Sequence, residues 1–159
     1  MRKYLIGLIA VVVIGAGAWM FKPSLVPSLV PEASATSKDM VVYKSASCGC
    51  CGGWIVHADK AGYKVTAHDT EELQKYKTEA NVPDQLQSCH TTLIGGYVIE
   101  GHVPMREIER LLREKPAGAL GIAVPGMVSG SPGMENGRFD PYDVIIFYKD
   151  GKSEIYASY

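Results

Sequence analysis

The chain has 159 residues, of which 47% are hydrophobic, and its formal net charge is −1. This length supports one domain with a substantial core and is too short to suggest two. Because the charge is close to neutral and no run of lysine or arginine stands out, the composition argues against nucleic-acid binding.

The amino-terminal segment has the pattern of an export signal. Arg2 and Lys3 precede an uncharged apolar run over residues 4–21, and a Pro/Ser-rich spacer follows. As a helix this run would rise roughly 27 Å, close to the thickness of a hydrocarbon core, so an uncleaved anchor remains an alternative to cleavage. We therefore predict a signal peptide or membrane anchor with its spacer over residues 1–35. The body, residues 36–159, is then periplasmic and contacts the membrane only through an uncleaved leader.

From residue 38 onward, strand-like and helix-like segments alternate. The pair Gly95-Gly96 separates two β-rich runs, which indicates a tight hairpin because glycine accepts the positive φ of such turns. The Gly/Pro-rich segment 118–141 is predicted to be a loop, whose length suggests a function or packing over other groups. The predicted elements are a strand at 40–44, a helix at 51–62, a strand at 63–69, a helix at 70–80 beginning at an N-cap threonine, Thr70, a hairpin at 91–101, a helix at 103–116 and a hairpin at 142–159.

This order predicts an α/β fold that resembles thioredoxin, β-α-β-α-β-β-α, with a C-terminal loop and β-hairpin extension. Three of the four cysteines would then lie between the end of the first strand and the amino end of the first helix. That position is one where the helix dipole stabilises a thiolate.

The four cysteines first suggest two structural disulfides in an exported domain. Cys50 and Cys51 are neighbours, so in a helical turn their side chains diverge by about 100° and need different partners. The one arrangement left is Cys48 with Cys51 and Cys50 with Cys89. The flanking glycines argue against a purely structural staple, because they add backbone freedom without contacts.

A second interpretation is thiol–disulfide exchange, because Cys48 and Cys51 form a C-x-x-C pair at the predicted helix start. Thioredoxin-like oxidoreductases carry a cis-proline before the third strand, whereas the corresponding stretch here is QSCHTTLI, without proline. A purely redox pair also leaves Cys50 and Cys89 without a role.

A third interpretation is a soft-metal site that includes Cys48, Cys50, Cys51 and Cys89. Zinc usually takes two separated chelating pairs, so three thiols within four residues suit one tetrahedral ion poorly. Copper(I) prefers thiolate and thioether, and thiolates can bridge several such ions, which accommodates the divergence of the neighbouring cysteines. We therefore predict copper(I) as the bound metal, with several ions per chain in a thiolate-bridged cluster.

Other candidate ligands are methionines and histidines. Met127 and Met134 each follow a Pro-Gly pair in the long loop, where a thioether is available to copper(I), although gap filling is an equal alternative. Met105 is expected to pack in the first turn of the third helix. His90 borders Cys89, but strand alternation is expected to turn its side chain to the opposite face, and His102 is a similarly weak candidate. Two more histidines are expected to be ordinary surface or hydrogen-bonded residues: His57 and His68.

Four stretches carry a family resemblance: YKSASCGCCGGW, SCHTTLIGGYVIEGHVP, ERLLREKP and GIAVPGMVSGSPGME. Together they resemble the CopG-like copper-resistance proteins over nearly all of residues 40–159. The resemblance implies a thioredoxin-like fold, periplasmic export, copper binding through the cysteines and association with copper and silver efflux components. The ligands that it implies are Cys48, Cys50, Cys51 and Cys89, with Met127 weaker.

The sequence therefore predicts a periplasmic copper(I)-binding protein of copper resistance, which requires no substrate turnover. It would sequester copper, hand it to an exporter or change its oxidation state. The alternative is a thiol–disulfide oxidoreductase that uses Cys48 and Cys51, and a disulfide-stapled binding module is third.

Overall fold

The structure, a computed structural model, describes residues 38–159. The predicted signal peptide or anchor and its spacer, residues 1–35, lie outside the described residues. Among residues 38–159, no helix combines the length and the hydropathy that a membrane span requires.

Residues 38–159 form a mixed α/β structure with one seven-stranded sheet and three α-helices. The strand order across the sheet is β2-β1-β3-β4-β5-β6-β7. Strand β1 runs parallel to β2 and antiparallel to β3, and β4 runs parallel to β5. The elements are β1 (Asp39–Lys44), α1 (Gly49–Lys60), β2 (Lys64–Asp69), α2 (Leu73–Glu79), a short 3₁₀ helix (Asp84–Leu86), β3 (His90–Ile94), β4 (Tyr97–Glu100), α3 (Met105–Glu114), β5 (Ala119–Ala123), β6 (Asp143–Tyr148) and β7 (Ser153–Ser158).

The predicted hairpin at residues 91–101 is confirmed. Gly95 and Gly96 have φ of 56° and 82°, the left-handed values that a two-residue hairpin turn requires. The helix predicted at 70–80 is shorter in the structure, because the Thr70 hydroxyl accepts the Glu72 N–H at 3.0 Å in a turn that precedes α2.

The segment predicted as one long loop, residues 118–141, begins instead with strand β5. Its five residues, ALGIA, are mostly small, so their composition resembles that of a loop. The strand forms because it pairs with β4 on one side and β6 on the other. Its central residue is glycine because a Cβ atom on Gly121 would collide with the Val98 carbonyl. The carboxy-terminal hairpin, β6 and β7, is therefore part of the main sheet and not an appendage.

The main core lies between the sheet and the helices α1 and α3. Trp54 is fully buried on α1, and its indole N–H donates to the Val103 carbonyl at 2.9 Å. Ile108 and Leu111 on α3 are fully buried in the same cluster. This packing fixes α1, and with it the cysteine turn at the amino end of α1, against the sheet.

Candidate metal centre

The sulfur atoms of Cys48, Cys50, Cys51 and Cys89 all lie within 4.8 Å of one another. Cys48 is the N-cap of α1, and Cys50 and Cys51 occupy its first turn. Cys89 immediately precedes β3, whose first residue, His90, pairs with Lys44 at the end of β1. Because β1 and β3 are antiparallel neighbours, the end of one and the start of the other lie side by side. This pairing brings the two distant cysteine segments together.

Cys48 and Cys51 are joined by a disulfide, with their Cα atoms 5.4 Å apart. Cys50 and Cys89 are free thiols, and the Cys50 sulfur lies 3.5 Å from that of Cys48. Within residues 38–159, the disulfide between Cys50 and Cys89 that two structural disulfides would require is therefore not formed. Two thiols remain available beside the disulfide.

Burial raises the pKa of the Cys89 thiol to about 12, and repulsion from Cys50 adds to this effect. The thiol is therefore protonated at neutral pH in the metal-free protein. A cation bound here would favour the thiolate and displace this proton, so metal binding at Cys89 would be coupled to proton release.

His102 contacts Cys89 directly, with its Nε2 atom 2.9 Å from the Cys89 sulfur. Its Nδ1 atom lies 2.8 Å from the Pro132 carbonyl. A carbonyl only accepts, so this bond assigns the ring proton to Nδ1 and leaves a lone pair on Nε2 facing the sulfur. Burial lowers the pKa of His102 and so favours the neutral ring. A neutral histidine held by a backbone carbonyl is a common arrangement for a metal ligand.

His90 also faces the cysteine cluster. Its Nδ1 atom lies 3.5 Å from the Cys89 sulfur, and Nε2 has no hydrogen-bond partner within the described part of the chain. Burial, with His102 nearby, lowers the pKa of His90 well below its usual value, so the ring is neutral. The expectation that strand alternation turns His90 away from Cys89 is wrong, because Cys89 lies in the bend before β3 and outside the strand's alternation.

From the sequence alone, His90 and His102 are weaker candidate ligands than the cysteines. In the structure, both form a second group of potential metal ligands with Cys89. The hairpin of β3 and β4 returns the chain to the cysteine turn just after Glu100, which places His102 there. The predicted hairpin was the signal available in the sequence, since it implies that residues before β3 and after β4 meet.

The long loop packs against the amino end of α1, as its length suggested. A Cβ atom on Gly133 would lie 2.5 Å from the backbone nitrogen of Trp54 and 2.7 Å from the Cys50 carbonyl oxygen. The same loop supplies the Pro132 carbonyl, and its Glu135 pairs with His57 at 2.7 Å. Gly53 faces Gly133, and the lack of a side chain at Gly53 permits close contact between the backbones of α1 and the loop. This contact explains a glycine next to the cysteines.

Replacing Gly133 with alanine should lower the free energy of unfolding by about 2–4 kcal/mol, because left-handed strain and overpacking both act there. Gly137 is the matched control, since it has a similar φ of 85° but no atom within 4 Å of an added Cβ. Gly137→Ala should cost only the strain, about 1–2 kcal/mol. Urea unfolding of the three proteins measures both values. Equal losses would contradict the close contact between the loop and α1.

Of the methionines, Met127 lies beside the segment that carries Cys89. Gly126 pairs with Ser88, and Met127 follows with 59% of its surface exposed. Met134 is half-buried in the loop, and Met105 packs against the main core as expected. The remaining histidines have ordinary partners: His57 pairs with Glu135, and His68 stacks on Tyr43.

Comparison with known proteins agrees with these features. Residues 86–134, which include Cys89, His90, His102 and most of the Gly/Pro-rich segment 118–141, match the family model described as "Protein of unknown function, DUF411". No curated protein matches the chain significantly.

Two solved structures, both of a copper resistance protein CopG, match the chain with TM-scores of 0.72. Form 2 is 42% identical, and the match covers 76% of this chain and 97% of that one. Form 1 is 41% identical, with 76% and 96% covered. At this identity over nearly the whole of those chains, the chain belongs to the CopG-like copper-resistance family.

Proposed function

We propose that this chain is a periplasmic copper(I)-binding protein of copper resistance, built on a thioredoxin-like domain over residues 36–159. Cys48, Cys50, Cys51 and Cys89 are the ligands, and Met127 is a weaker one. The observation that carries the proposal is the convergence of all four sulfur atoms within 4.8 Å. Membership of a copper-resistance family supports copper as the metal.

Copper(I) suits this set of donors better than zinc does. It is a soft ion that prefers thiolate sulfur, and it accepts low coordination numbers in which one thiolate bridges two ions. Cys50 and Cys51 are consecutive residues of one helical turn, so bridging gives both a role. His102 adds a neutral nitrogen donor whose lone pair already points at the Cys89 sulfur.

The disulfide between Cys48 and Cys51 defines a second state of the same centre. Two electrons and two protons reduce it to two thiols, which then join Cys50 and Cys89 as ligands. In the reverse direction, two copper(II) ions each take one electron from the Cys48 and Cys51 thiolates, which yields two copper(I) ions and the disulfide. The protein thus has the groups for sequestration, for transfer of copper(I) to an efflux component, and for redox conversion.

Anaerobic titration of the reduced protein with copper(I) tests the proposal. We expect more than one equivalent to bind per chain, because four clustered thiolates can bridge several ions. Cys50→Ser should reduce this stoichiometry, since it removes a bridging sulfur from the first turn of α1. Binding of less than one equivalent to the fully reduced wild type would contradict the proposal.

A thiol–disulfide oxidoreductase is the second candidate, and the Cys48–Cys51 disulfide at the amino end of α1 favours it. Reduction of insulin separates the two functions. An oxidoreductase retains full activity in Cys50→Ser and loses it in Cys48→Ser, whereas the copper protein has little activity in either. Copper binding that is insensitive to Cys50→Ser, together with strong insulin reduction, would favour the oxidoreductase.

A further inference from the structure

Cys89 lies outside the hydrogen-bonded ladder of the sheet. Strand β3 begins at His90, and its pairing with β1 ends at the contact between Lys44 and His90. The backbone that carries Cys89 into the metal centre is therefore not held by β1. Its position must come from other contacts.

Those contacts converge on Ser88, the residue before Cys89. The Ser88 N–H donates to the Glu100 carboxylate at 2.6 Å. Its hydroxyl donates to the Gly126 carbonyl, and a Cβ atom on Gly101 would collide with its side chain. The acceptor of the Ser88 N–H is thus a side-chain carboxylate and not a strand carbonyl.

Glu100 is an unusual residue for this position, because its carboxylate is completely buried. It accepts a hydrogen bond from the Thr91 hydroxyl at 2.7 Å and forms an ion pair with Lys77 at 2.5 Å. The Lys77 side chain on α2 is 5% exposed and also donates to Thr91 at 3.0 Å. All the partners needed to hold a buried carboxylate are therefore present.

A buried ion pair is weak evidence for stability, since well-packed apolar residues of similar volume often stabilise a fold equally well or better. An apolar pair at these positions would still attach α2 to the sheet. It would not accept the Ser88 N–H. The feature that distinguishes the observed pair from an apolar one is thus its bond to the segment that carries Cys89.

We propose that Glu100, with Lys77 as its counter-ion, is a positioning residue that holds Cys89 against the cysteines of α1 by accepting the Ser88 N–H. Its role in copper binding rests on the proposed function. Its role in placing the Cys89 sulfur does not, and the two are tested separately.

Two double variants isolate the acceptor from the charge. Lys77→Met/Glu100→Gln and Lys77→Met/Glu100→Leu both remove the ion pair, but only glutamine retains an oxygen for the Ser88 N–H. We expect the leucine variant to bind copper(I) about 10- to 100-fold more weakly than wild type, the usual range for groups that orient a metal ligand. The glutamine variant should regain most of this loss. Competition with a colorimetric copper(I) chelator measures the affinities.

A measurement without metal tests whether Cys89 is held close to Cys50. In a Cys48→Ser/Cys51→Ser background, diamide oxidises the Cys50 and Cys89 thiols to a disulfide and is itself reduced to the hydrazine. The cross-linking rate reports how well Cys89 is held near Cys50. We expect cross-linking to be fast in this background, and to stay fast when Lys77→Met/Glu100→Gln is added to it. With Lys77→Met/Glu100→Leu added, it should be slower by roughly tenfold or more, by analogy with the loss of other orienting groups.

Equal affinities and equal cross-linking rates in the glutamine and leucine variants would overturn the positioning role. If wild type binds no copper(I), the proposed function fails, whereas the cross-linking rates still test the placement of Cys89. If the leucine variant does not fold, amide hydrogen exchange of the wild type tests the hydrogen bond from the Ser88 N–H to Glu100. The Ser88 N–H should then be as protected as that of Thr92 inside β3, and rapid exchange would refute the bond to Glu100.

Discussion

Replacing Cys89 with serine should weaken copper(I) binding by more than about 100-fold, beyond the range seen when only a group that orients a ligand is removed. Cys89 is the single sulfur contributed by the segment before β3, so its loss leaves all remaining thiolates on one turn of α1. A hydroxyl is a hard donor and does not replace thiolate for copper(I). Chelator competition under anaerobic, reducing conditions measures the change.

Met127→Leu is the matched control for the loss of a sulfur. Its thioether lies beside the segment that carries Cys89 but is largely exposed, so we expect a much smaller decrease in affinity. A decrease for Met127→Leu that equals the decrease for Cys89→Ser would show that the loop methionine is a principal ligand. An unchanged affinity in Cys89→Ser would refute the convergence of the two cysteine segments on shared copper ions.

Lys77→Met should lower the free energy of unfolding by about 3–5 kcal/mol at neutral pH, the usual cost of leaving one member of a buried ion pair unpaired. Glu100 would then be a buried carboxylate without a counter-ion. Lys75, on the same helix, is the control, because its side chain is 56% exposed and its ion pair with Glu72 measures 4.0 Å. Lys75→Met should change stability little, since exposed pairs contribute little. Urea unfolding of both variants gives the comparison.

The loss in Lys77→Met should depend on pH. Burial raises the pKa of Glu100 above its usual 4.5, while Lys77 opposes this effect, so removing Lys77 raises it further. A carboxyl with a raised pKa in the folded state contributes stability below its unfolded pKa, and this contribution is lost as the pH rises through the folded pKa. The stability difference from wild type should therefore be smaller near pH 4 than at pH 7. A pH-independent difference would contradict a further rise in the pKa of Glu100 when Lys77 is removed.

Much of the candidate site follows from the order of elements in the sequence. A C-x-C-C turn between a strand and a helix, and a cysteine just before a third strand, meet when those strands are antiparallel neighbours. This is the arrangement of β1 and β3. The hairpin at Gly95-Gly96 was equally predictable, because few other residues adopt the required φ.

Other features depend on tertiary contacts that no local pattern reveals. Strand β5 is stabilised by its two neighbours, and its small residues carry no strong β signal. The hairpin places His102 beside Cys89, but its tautomer depends on the Pro132 carbonyl in a distant loop. No local pattern marks Lys77 or Glu100 as buried, and their burial becomes evident only once Lys77 on α2 pairs with Glu100 on β4.

Copper-edge X-ray absorption spectroscopy of the reduced protein, after anaerobic loading with copper(I), tests most directly whether the four cysteines bind copper together. We expect copper in the +1 state, surrounded mainly by sulfur, with a second copper atom beyond the ligands that indicates bridging thiolates. The sulfur contribution should fall in Cys89→Ser. Copper surrounded only by nitrogen and oxygen, with a spectrum unchanged by Cys89→Ser, would contradict the proposal that all four cysteines bind copper together.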